Sequence, residues 1–502
     1  MGNVLVKEET LTQIADAIRE KRGIISRYKP SEMPGAIRDI TTYTNAGVDP
    51  DKAVRFYDYE GTLLYSYSLK EISELTELPP LPERTGLTCQ GWNWTLEQIQ
   101  REGKETEIGA IYITDDGATR IYVDLVEGAL SPYLCFAQTT ANSVKVDWGD
   151  GSELETTETC GSNIPVNMQH HYGKAGSYVI RLIPDEGAVI NFLGSSSMSY
   201  ILRESITTSR AQRVYQSAIK KIELGSCIDI IDDYAFYRCG FTSINLPRGI
   251  DIRRAFDEAC YVKTLILPDG LTVGKTSMFT RCYELEKLIL PYGIRVLGES
   301  MISYGNKLKS LVMPNSITSL GASLFHTRMN LEKVILSNNI TVVGNSVFYG
   351  CESLKEIVIP DSVLEVGTRF LYGCTLLKKV KLSANLIELP DHMFNNCRYL
   401  TRIEIPEGIT KIGTSCFEYC FALGEIVIPK SVTTIMARAF YGTYGIQNYY
   451  LRPTTPPTLN ANSAFYGIEE GNKIYVPRGC LEVYQTAAVW SEFADYMVEM
   501  EE

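Results

Sequence analysis

The chain has 502 residues with 48 basic and 60 acidic side chains, a net charge of −12, and this length predicts several domains. The negative balance argues against nucleic acid and anionic membrane as partners. No segment has the roughly 20 consecutive apolar residues that a membrane-spanning helix needs, and the first seven residues lack a basic stretch leading into an apolar one, so we expect no signal peptide and no membrane insertion.

Residues 1–44 are predicted to form a helical pair. Thr10 with Gln13 has the spacing of a capping box, and each helix carries an apolar stripe. About 40 residues rarely bury enough surface to fold alone, so we expect this module to attach to a larger partner. The candidate attachment residues are Leu11, Ile14, Ile18, Met33, Ile37 and Ile40.

Residues 50–125 are predicted to form a small α+β module. Strand-like alternation occurs around Val54 and Leu63, Thr95 with Gln98 predicts a helix cap, and Asp116-Gly117 predicts a hairpin turn between 111–113 and 121–123. Trp92 and Trp94 raise the alternative of a sugar site, but large aromatic residues beside a helix start favour a core position.

The strings L-T-Q-I-A-D-A-I-R-E-K-R-G (from Leu11) and V-R-F-Y-D-Y-E-G-T-L-L-Y-S-Y (from Val54) resemble modules of tail and other virion-associated proteins of bacteriophages. So do G-L-T-C-Q-G-W-N-W-T-L-E-Q-I (from Gly86) and I-Y-I-T-D-D-G-A-T-R-I-Y-V (from Ile111). The resemblance implies a place in a virion, with residues 1–44 attached to tail or baseplate proteins.

Residues 126–195 contain V-K-V-D-W-G-D-G-S and H-H-Y-G-K-A-G-S-Y-V-I-R-L. These motifs are similar to those of the polycystic-kidney-disease (PKD)-type β-sandwich, a resemblance that implies a spacer or adhesion module. Asp147 and Asp150 provide fewer oxygens than calcium takes, so an aspartate-stabilised turn is favoured. His170 and His171 have no carboxylate at ligand spacing, and no metal site is predicted.

Residues 200–452 are predicted to form a solenoid, because residues 290–451 repeat with a period of 23, which is typical of coils that bury their apolar faces on each other. The earlier coils are less regular, with 21 residues from Pro247 to Pro268. Two alternating apolar columns predict one short parallel strand per coil, and a leucine and an aromatic column fill the interior. A glycine column, at Gly298, Gly321, Gly344, Gly367 and Gly413, suggests a corner with unusual backbone conformation. The eight stations that define the period are Leu290, Met313, Leu336, Ile359, Leu382, Ile405, Ile428 and Leu451.

Five of the 13 cysteines occupy one slot of the repeat, three residues after the aromatic column: Cys282, Cys351, Cys374, Cys397 and Cys420. Buried small thiols are the favoured interpretation. Disulfides between neighbouring coils are the alternative.

The pattern L-x-x-I-x-[LI]-P-x-[GS]-[IV]-x-x-[IL]-G-x-x-x-F-x-x-C resembles the BspA-type leucine-rich repeats, over residues 222–451. The resemblance implies surface adhesion and recognition of host or neighbour molecules, without catalytic residues. Residues 453–502 break the period and predict a cap that ends in a helix with Leu481, Tyr484, Trp490, Phe493 and Met497.

Two surfaces of the solenoid are candidates for binding. Tyrosine combines a flat ring with a polar tip, and the corner after the aromatic column offers Tyr283, Tyr304, Tyr349, Tyr372, Tyr399, Tyr419 and Phe421, unless these rings pack between coils. An outward apolar stripe needs a partner or a cover, or reflects β propensity alone, and the strand face offers Ile289, Val312, Ile335, Val358, Lys381, Glu404 and Val427.

The predicted fold class is multidomain: small α and α+β N-terminal modules, a β-sandwich, a leucine-rich-repeat solenoid with a parallel β ladder, and a helical cap. The chain lacks the common catalytic motifs, so we expect no enzyme, no cofactor and no metal. The leading prediction is a phage tail protein, made in the host cytoplasm, that binds a host surface protein or glycan through its repeats. A homotrimer is the candidate assembly. The alternatives are a bacterial BspA-like cell-surface adhesin and, last, a polysaccharide-degrading enzyme.

Overall fold

The computed structural model describes residue 49 and residues 51–158, 164–192, 201–204 and 213–501. The predicted helical pair and its six attachment residues lie outside these ranges. Within them the α-helices are Leu69–Glu74, Leu96–Glu102, Arg213–Ala218 and Leu481–Thr486, and the 3-10 helices are Asn462–Phe465 and Trp490–Tyr496. Each of these helices is too short or too polar to cross a lipid bilayer.

The first sheet has four strands in the order β2-β1-β4-β3. Its helix Leu96–Glu102 begins with the predicted capping box, in which Thr95 and Gln98 satisfy each other's backbone amides. Trp92 and Trp94 are both buried, which confirms their core position. The strand bounds are β1 Val54–Tyr57, β2 Leu63–Tyr67, β3 Leu87–Trp92 and β4 Thr106–Thr114.

The strands that follow form two sheets that share one apolar core. One sheet contains β5, β10, β7 and β8, the other contains β6, β9 and β11, and Ile121, Phe136 and Trp148 belong to one buried apolar cluster that continues into the solenoid. The strand bounds are β5 Thr119–Leu125, β6 Tyr133–Gln138, β7 Val144–Asp147, β8 Glu155–Thr156, β9 Ile164–Gln169, β10 Gly176–Pro184 and β11 Ile190–Phe192.

The predicted hairpin at Asp116-Gly117 is wrong, although the turn exists. In the described part of the chain β4 and β5 do not pair: β4 lies between β1 and β3. β5 lies between β10 and the later strand Ile219–Glu223. Each strand therefore has both edges occupied by other partners, and the turn passes the chain from one sheet to the next.

Both sheets continue directly into the solenoid. β12 (Leu202–Arg203) pairs with β6, and β13 (Ile219–Glu223) pairs with β5 and forms a parallel bridge from Ile222 to Ile244. β14 (Ile228–Ile231) pairs in parallel with β11 on one side and with β15 (Asp251–Ile252) on the other. The N-terminal end of the solenoid thus has no open sheet edge at these strands.

The solenoid, of about 12 turns, has two ladders of short parallel strands. On the front ladder, registered partners between Thr264 and Leu451 lie 23 residues apart, as for Leu311 with Val334, so the predicted period and parallel ladder are confirmed. The front ladder consists of β16 Thr264–Ile266, β18 Lys287–Ile289, β20 Ser310–Val312, β22 Lys333–Ile335, β24 Glu356–Val358, β25 Lys379–Lys381, β28 Glu425–Ile428, β30 Asn448–Leu451, β32 Lys473–Val476 and β33 Met497–Glu499.

The second ladder was not predicted, because its strands have only two residues each, too few for a visible alternation. It consists of β17 Val273–Gly274, β19 Val296–Leu297, β21 Ser319–Leu320, β23 Val342–Val343, β26 Glu388–Leu389, β27 Lys411–Ile412, β29 Thr434–Ile435 and β31 Thr458–Leu459.

The glycine column serves close packing and not the predicted unusual backbone. None of Gly298, Gly321, Gly344, Gly367 and Gly413 has a positive φ. A Cβ at Gly344 would instead lie 2.5 Å from the backbone nitrogen of Ala322 in the preceding coil, and one at Gly321 would lie 2.4 Å from that of Glu299. The missing side chain is what lets neighbouring coils approach here.

The predicted terminal helix is interrupted. Helix Leu481–Thr486 is followed by Val489, whose φ of 66 breaks the helix. A 3-10 helix then leads into β33, which pairs in parallel with β32. The cap is anchored by side-chain hydrogen bonds: Tyr484 Oη donates to the Pro453 carbonyl at 2.7 Å and Trp490 Nε1 to the Pro457 carbonyl at 2.7 Å. The apolar residues predicted for one helix therefore come from three elements.

Candidate ligand-binding surfaces

The corner that carries the aromatic candidates is a tight turn with two left-handed residues in most coils. In one coil these are Ser346 with φ 57 and Gly350 with φ 69, and in another Ser415 with φ 53 and Tyr419 with φ 60. Between them the aromatic column residue, here Phe348 or Phe417, points into the core and is fully buried. The next residue points outward, which is how Tyr349 and Tyr372 reach the surface.

Three corner rings form a continuous stack across successive coils. The centroids of His326 and Tyr349 lie 4.6 Å apart and those of Tyr349 and Tyr372 lie 4.7 Å apart, with planes within 6° and 1° of parallel. Tyr304 packs on the open side of His326 at 5.2 Å. Neighbouring rings therefore cover both faces of Tyr349 and one face of Tyr372, whose other ring neighbour, His392, lies edge-on at 6.4 Å.

The other corner candidates are more open. Tyr283 is 41% exposed, Tyr399 54% and Phe421 41%. Tyr419 is half-buried and lies 5.8 Å from Phe421 and 5.8 Å from Tyr441, measured between ring centroids. These four rings differ from the stacked ones because they stand at different positions of the turn.

Sequence reasoning missed several exposed members of the same edge: Tyr261, Met329, Leu376, Tyr444 and Tyr466, each more than 40% exposed. Tyr444 stands one period after Phe421 and Tyr466 follows the aromatic column residue Phe465, so extending the column list past residue 421 would have found these two. We call the exposed aromatic side chains of the corner the aromatic edge: Tyr261, Tyr283, Tyr304, Tyr399, Phe421, Tyr444 and Tyr466.

On the front ladder the predicted outward stripe is covered at one end and open at the other. Ile289 is buried, only 1% exposed, whereas Val358 is 56% exposed, and Val312, Ile335 and Val427 are intermediate. Lys381 and Glu404 are exposed. The stripe therefore does not form one continuous apolar patch.

The cover is the α+β module of residues 51–114. Ile289 and Ile266 belong to the apolar core of that module, and a Cβ at Gly109 would lie 2.1 Å from Ile266 Cγ2. The indole Nε1 of Trp94 donates to the Leu290 carbonyl at 3.0 Å. Burial of apolar surface together with a direct hydrogen bond holds the module on the ladder.

A charged groove of about 480 Å³ lies where the module meets the ladder. Lys287 pairs with Glu107 at 3.1 Å and Lys333 with Glu105 at 2.7 Å, while Arg55 contacts both glutamates at 2.7 and 3.5 Å. Because these cations and carboxylates neutralise one another, the groove shows no excess charge that would select an ionic ligand.

The repeat thiols are buried and unlinked. All twelve described cysteines are free, and in the predicted slot each thiol donates to a carbonyl of the preceding coil, as Cys351 does to Phe325 at 3.3 Å and Cys374 to Phe348 at 3.2 Å. Burial raises the pKa of Cys351 to about 12. Buried small thiols, and not disulfides between coils, are what the structure contains.

One coil places an arginine in the cysteine slot. Arg328 is fully buried, and its Nε donates to the Ile302 carbonyl at 2.6 Å. Its Nη1 occupies the space over Gly305, where a Cβ would lie 2.0 Å away. Burial lowers the pKa of Arg328 to about 10, and its Nη2 has no hydrogen-bond partner among the described residues.

The W-G-D-G turn is stabilised by aspartate, as predicted: Asp147 accepts from the Gly149 amide at 2.9 Å and Asp150 from the Ser152 amide at 3.0 Å. The sequence places no carboxylate at ligand spacing from His170, but the fold brings one to it: its Nε2 lies 2.8 Å from Asp150 Oδ2, and its ring stacks on Trp148 at 4.8 Å. Sequence spacing hid this pair, which the fold brings together. No cluster of three or more metal-ligating side chains occurs among the residues that the structure describes.

Comparison with protein families finds the BspA type leucine rich repeat region, in six copies over residues 207–332 and 318–447. The chain therefore contains BspA-type repeats across its solenoid. No curated protein matches. No support was found for a phage origin or for the PKD-type resemblance.

Among solved structures, a leucine-rich repeat protein from Bacteroides ovatus is 22% identical, covering 63% of this chain and 97% of the other, with a TM-score of 0.42. A leucine rich cell surface protein from Faecalibacterium prausnitzii is 24% identical, covering 47% and 73%, with a TM-score of 0.33. The pneumococcal vaccine antigen PcpA is 17% identical, covering 55% and 76%, with a TM-score of 0.36.

Proposed function

We propose that this protein is a recognition protein of the bacterial cell surface, which binds surface molecules of a host or neighbouring cell through the aromatic edge of its BspA-type repeats and catalyses no reaction. The observation that carries the proposal is the regular exposure of aromatic side chains along one edge of a rigid solenoid. Tyrosine and phenylalanine expose large contact areas with little rotamer entropy, a combination suited to recognition.

The aromatic edge is a better candidate than the front ladder. The α+β module already covers the start of the ladder stripe at Ile266 and Ile289, and charged residues interrupt the remainder. A ligand on the edge, in contrast, meets side chains from successive coils without displacing any part of the described chain.

The cell-surface setting is preferred to the phage tail because the family match concerns BspA-type repeats, whose resemblance implies surface adhesion. The two settings are separated by locating the native protein with an antibody. Protease treatment of intact producing cells should remove it if it is displayed on the surface. Recovery of the protein only in purified phage particles would contradict the proposal.

Binding is tested with the full chain and isolated cell-surface fractions of host and neighbouring cells. A triple variant, Tyr283→Ser with Tyr399→Ser and Phe421→Ser, should lose binding at least tenfold, since it removes three exposed rings. The matched control, Val312→Ser with Ile335→Ser and Val358→Ser on the front ladder, should bind normally. The reverse result would assign recognition to the ladder, and release of oligosaccharide from the fractions would indicate an enzyme.

A further inference from the structure

The last coils of the solenoid bring five aromatic rings into one surface cluster, in which each ring lies near the next. We call it the aromatic end patch: Tyr419, Phe421, Tyr441, Tyr444 and Tyr466. Centroid distances connect Tyr419 to Phe421 at 5.8 Å and Phe421 to Tyr444 at 6.3 Å. On the other side Tyr419 lies 5.8 Å from Tyr441, which stacks on Tyr466 at 4.5 Å.

Two glycines make room for the rings to lie across the coils. A Cβ at Gly442 would lie 2.8 Å from the ring of Tyr419, and one at Gly467 would lie 2.9 Å from the ring of Tyr444. The second contact places the Tyr444 ring beside Gly467, the residue that follows Tyr466. The patch is therefore a built surface in which the backbone beneath the rings has no side chain.

Ring faces in this patch are open to solvent. Phe421 and Tyr444 are parallel within 6°, but their centroids lie 6.3 Å apart, whereas the stacked pair Tyr349 and Tyr372 is separated by 4.7 Å. At 6.3 Å neither ring fully covers the face of the other, so part of each face is open. Tyr466 ends its stack, and it is 57% exposed while Tyr444 is 53% exposed.

Polar groups surround the rings. The Arg438 guanidinium lies 4.0 Å from the Tyr441 ring centroid and pairs with Glu418, and that of Arg398 lies 6.0 Å from the Phe421 ring centroid. The tyrosine hydroxyl groups add further donors and acceptors. The patch thus combines flat apolar faces with hydrogen-bonding groups at their rim.

We infer that the aromatic end patch binds a glycan chain, with pyranose rings lying on Phe421, Tyr444 and Tyr466. The C–H groups on one face of a pyranose are apolar and its hydroxyl groups point sideways, so it fits a flat aromatic face bordered by polar groups. The 6.3 Å separation of the Phe421 and Tyr444 rings is comparable with the length of one sugar unit. A protein partner would need a much larger interface, of about 800 Å² on this side.

This inference rests on the proposed function, because it names the ligand class and the coils that recognise it. The full chain is titrated in a calorimeter with four neutral hexasaccharides: cellohexaose, laminarihexaose, maltohexaose and chitohexaose. At least one should bind, and the double variant Tyr444→Ala with Tyr466→Ala should weaken that binding about tenfold or more. Tyr444→Phe, which keeps the ring face, should bind within about threefold of the parent.

The control is Val342→Ala with Leu364→Ala, which removes two residues of similar exposure, 58% and 52%, from the second ladder region and should leave binding unchanged. Circular dichroism and melting temperature establish that each variant is folded. Absence of binding to all four sugars overturns the inference, and so does sugar binding that the double variant leaves intact.

Two further outcomes would assign the patch differently and so also overturn the inference. Concentration-dependent self-association that the double variant abolishes, without sugar binding, would assign it to a second copy of this chain. Loss of binding to protease-sensitive surface material alone would assign it to a protein. If the double variant binds the cell-surface fractions normally while the triple variant fails, the proposed function stands and only the glycan patch is rejected.

Discussion

Replacing Gly344 with alanine should lower the melting temperature of the solenoid by about 4–8 °C. The new Cβ would lie 2.5 Å from the backbone nitrogen and 2.7 Å from the Cα of Ala322. Both are main-chain atoms of the preceding coil, which cannot turn away as a side chain can. The coils must separate, and this weakens the ladder hydrogen bonds and core contacts next to them.

The magnitude follows from the cost of overpacking. Inserting one carbon into a well-packed interior costs typically about 1–3 kcal/mol, and we take about 2 kcal/mol because the clash is with backbone. For a cooperative unit of 150–250 residues, each kcal/mol changes the melting temperature by about 2–4 °C. The expected shift is therefore well above the error of a calorimetric scan.

Gly424→Ala is the matched control. Gly424 also has no positive φ, and a Cβ there would meet nothing within 4 Å. Alanine at such a site leaves stability unchanged or raises it by about 0.4–1 kcal/mol, through the unfolded state. Equal melting temperatures for the two variants would show that coil spacing at Gly344 does not depend on the missing side chain, and the packing argument would be refuted.

Four further outcomes are expected. Alkylation of the native protein followed by mass spectrometry should modify Cys89, Cys260 and Cys480, which are partly exposed, before any other described cysteine; early modification of Cys374 would contradict its burial. Gly305→Cys and Arg328→Cys should each destabilise the protein, by overpacking and by an unfilled cavity respectively, while the double variant, which restores the repeat slot at both positions, should recover about 2 kcal/mol relative to their sum; additive effects would exclude the coupling. Burial alone would raise the pKa of Asp150, but hydrogen bonds from Ser152 and His170 hold it at about 2, so its contribution is complete above about pH 4 and is lost as the pH falls towards 2; melting curves of Asp150→Asn should lack this part of the acid dependence. Trp94→Phe removes the hydrogen bond to Leu290 and should cost about 1 kcal/mol, seen as faster amide exchange in Lys287–Ile289; unchanged exchange would show that the module is held by apolar contact alone.

The repeat architecture could be predicted because periodic burial leaves a direct trace in the sequence. Leu311 and Val334 pair at the distance that the period requires. Contacts between residues without such a period could not be predicted in the same way. Nothing near Trp94 in the sequence indicates that its indole bonds to Leu290, 196 residues away.

The predictions that failed share a physical cause: local patterns do not reveal which neighbour a backbone will meet. The Asp116-Gly117 turn predicted a hairpin, but both strands found better partners in other sheets. The glycine column was interpreted as a backbone requirement, whereas the constraint is the approach of the next coil. Likewise, the distinction between stacked Tyr349 and open Tyr444 depends on the distance to the neighbouring ring, which the sequence does not show.

Strands β5 and β11 pair with β13 and β14 at the start of the solenoid. This pairing affects how the chain folds. A preformed edge at this end offers a template on which the first coil can order, and each later coil closes a loop of only 21 to 25 residues onto its predecessor. Because each closure is short-range, we expect the solenoid to fold rapidly, coil by coil, from this N-terminal end. We therefore expect substitutions that disrupt the paired edges of β5 or β11 to slow refolding, whereas substitutions in a distal coil should mainly speed unfolding.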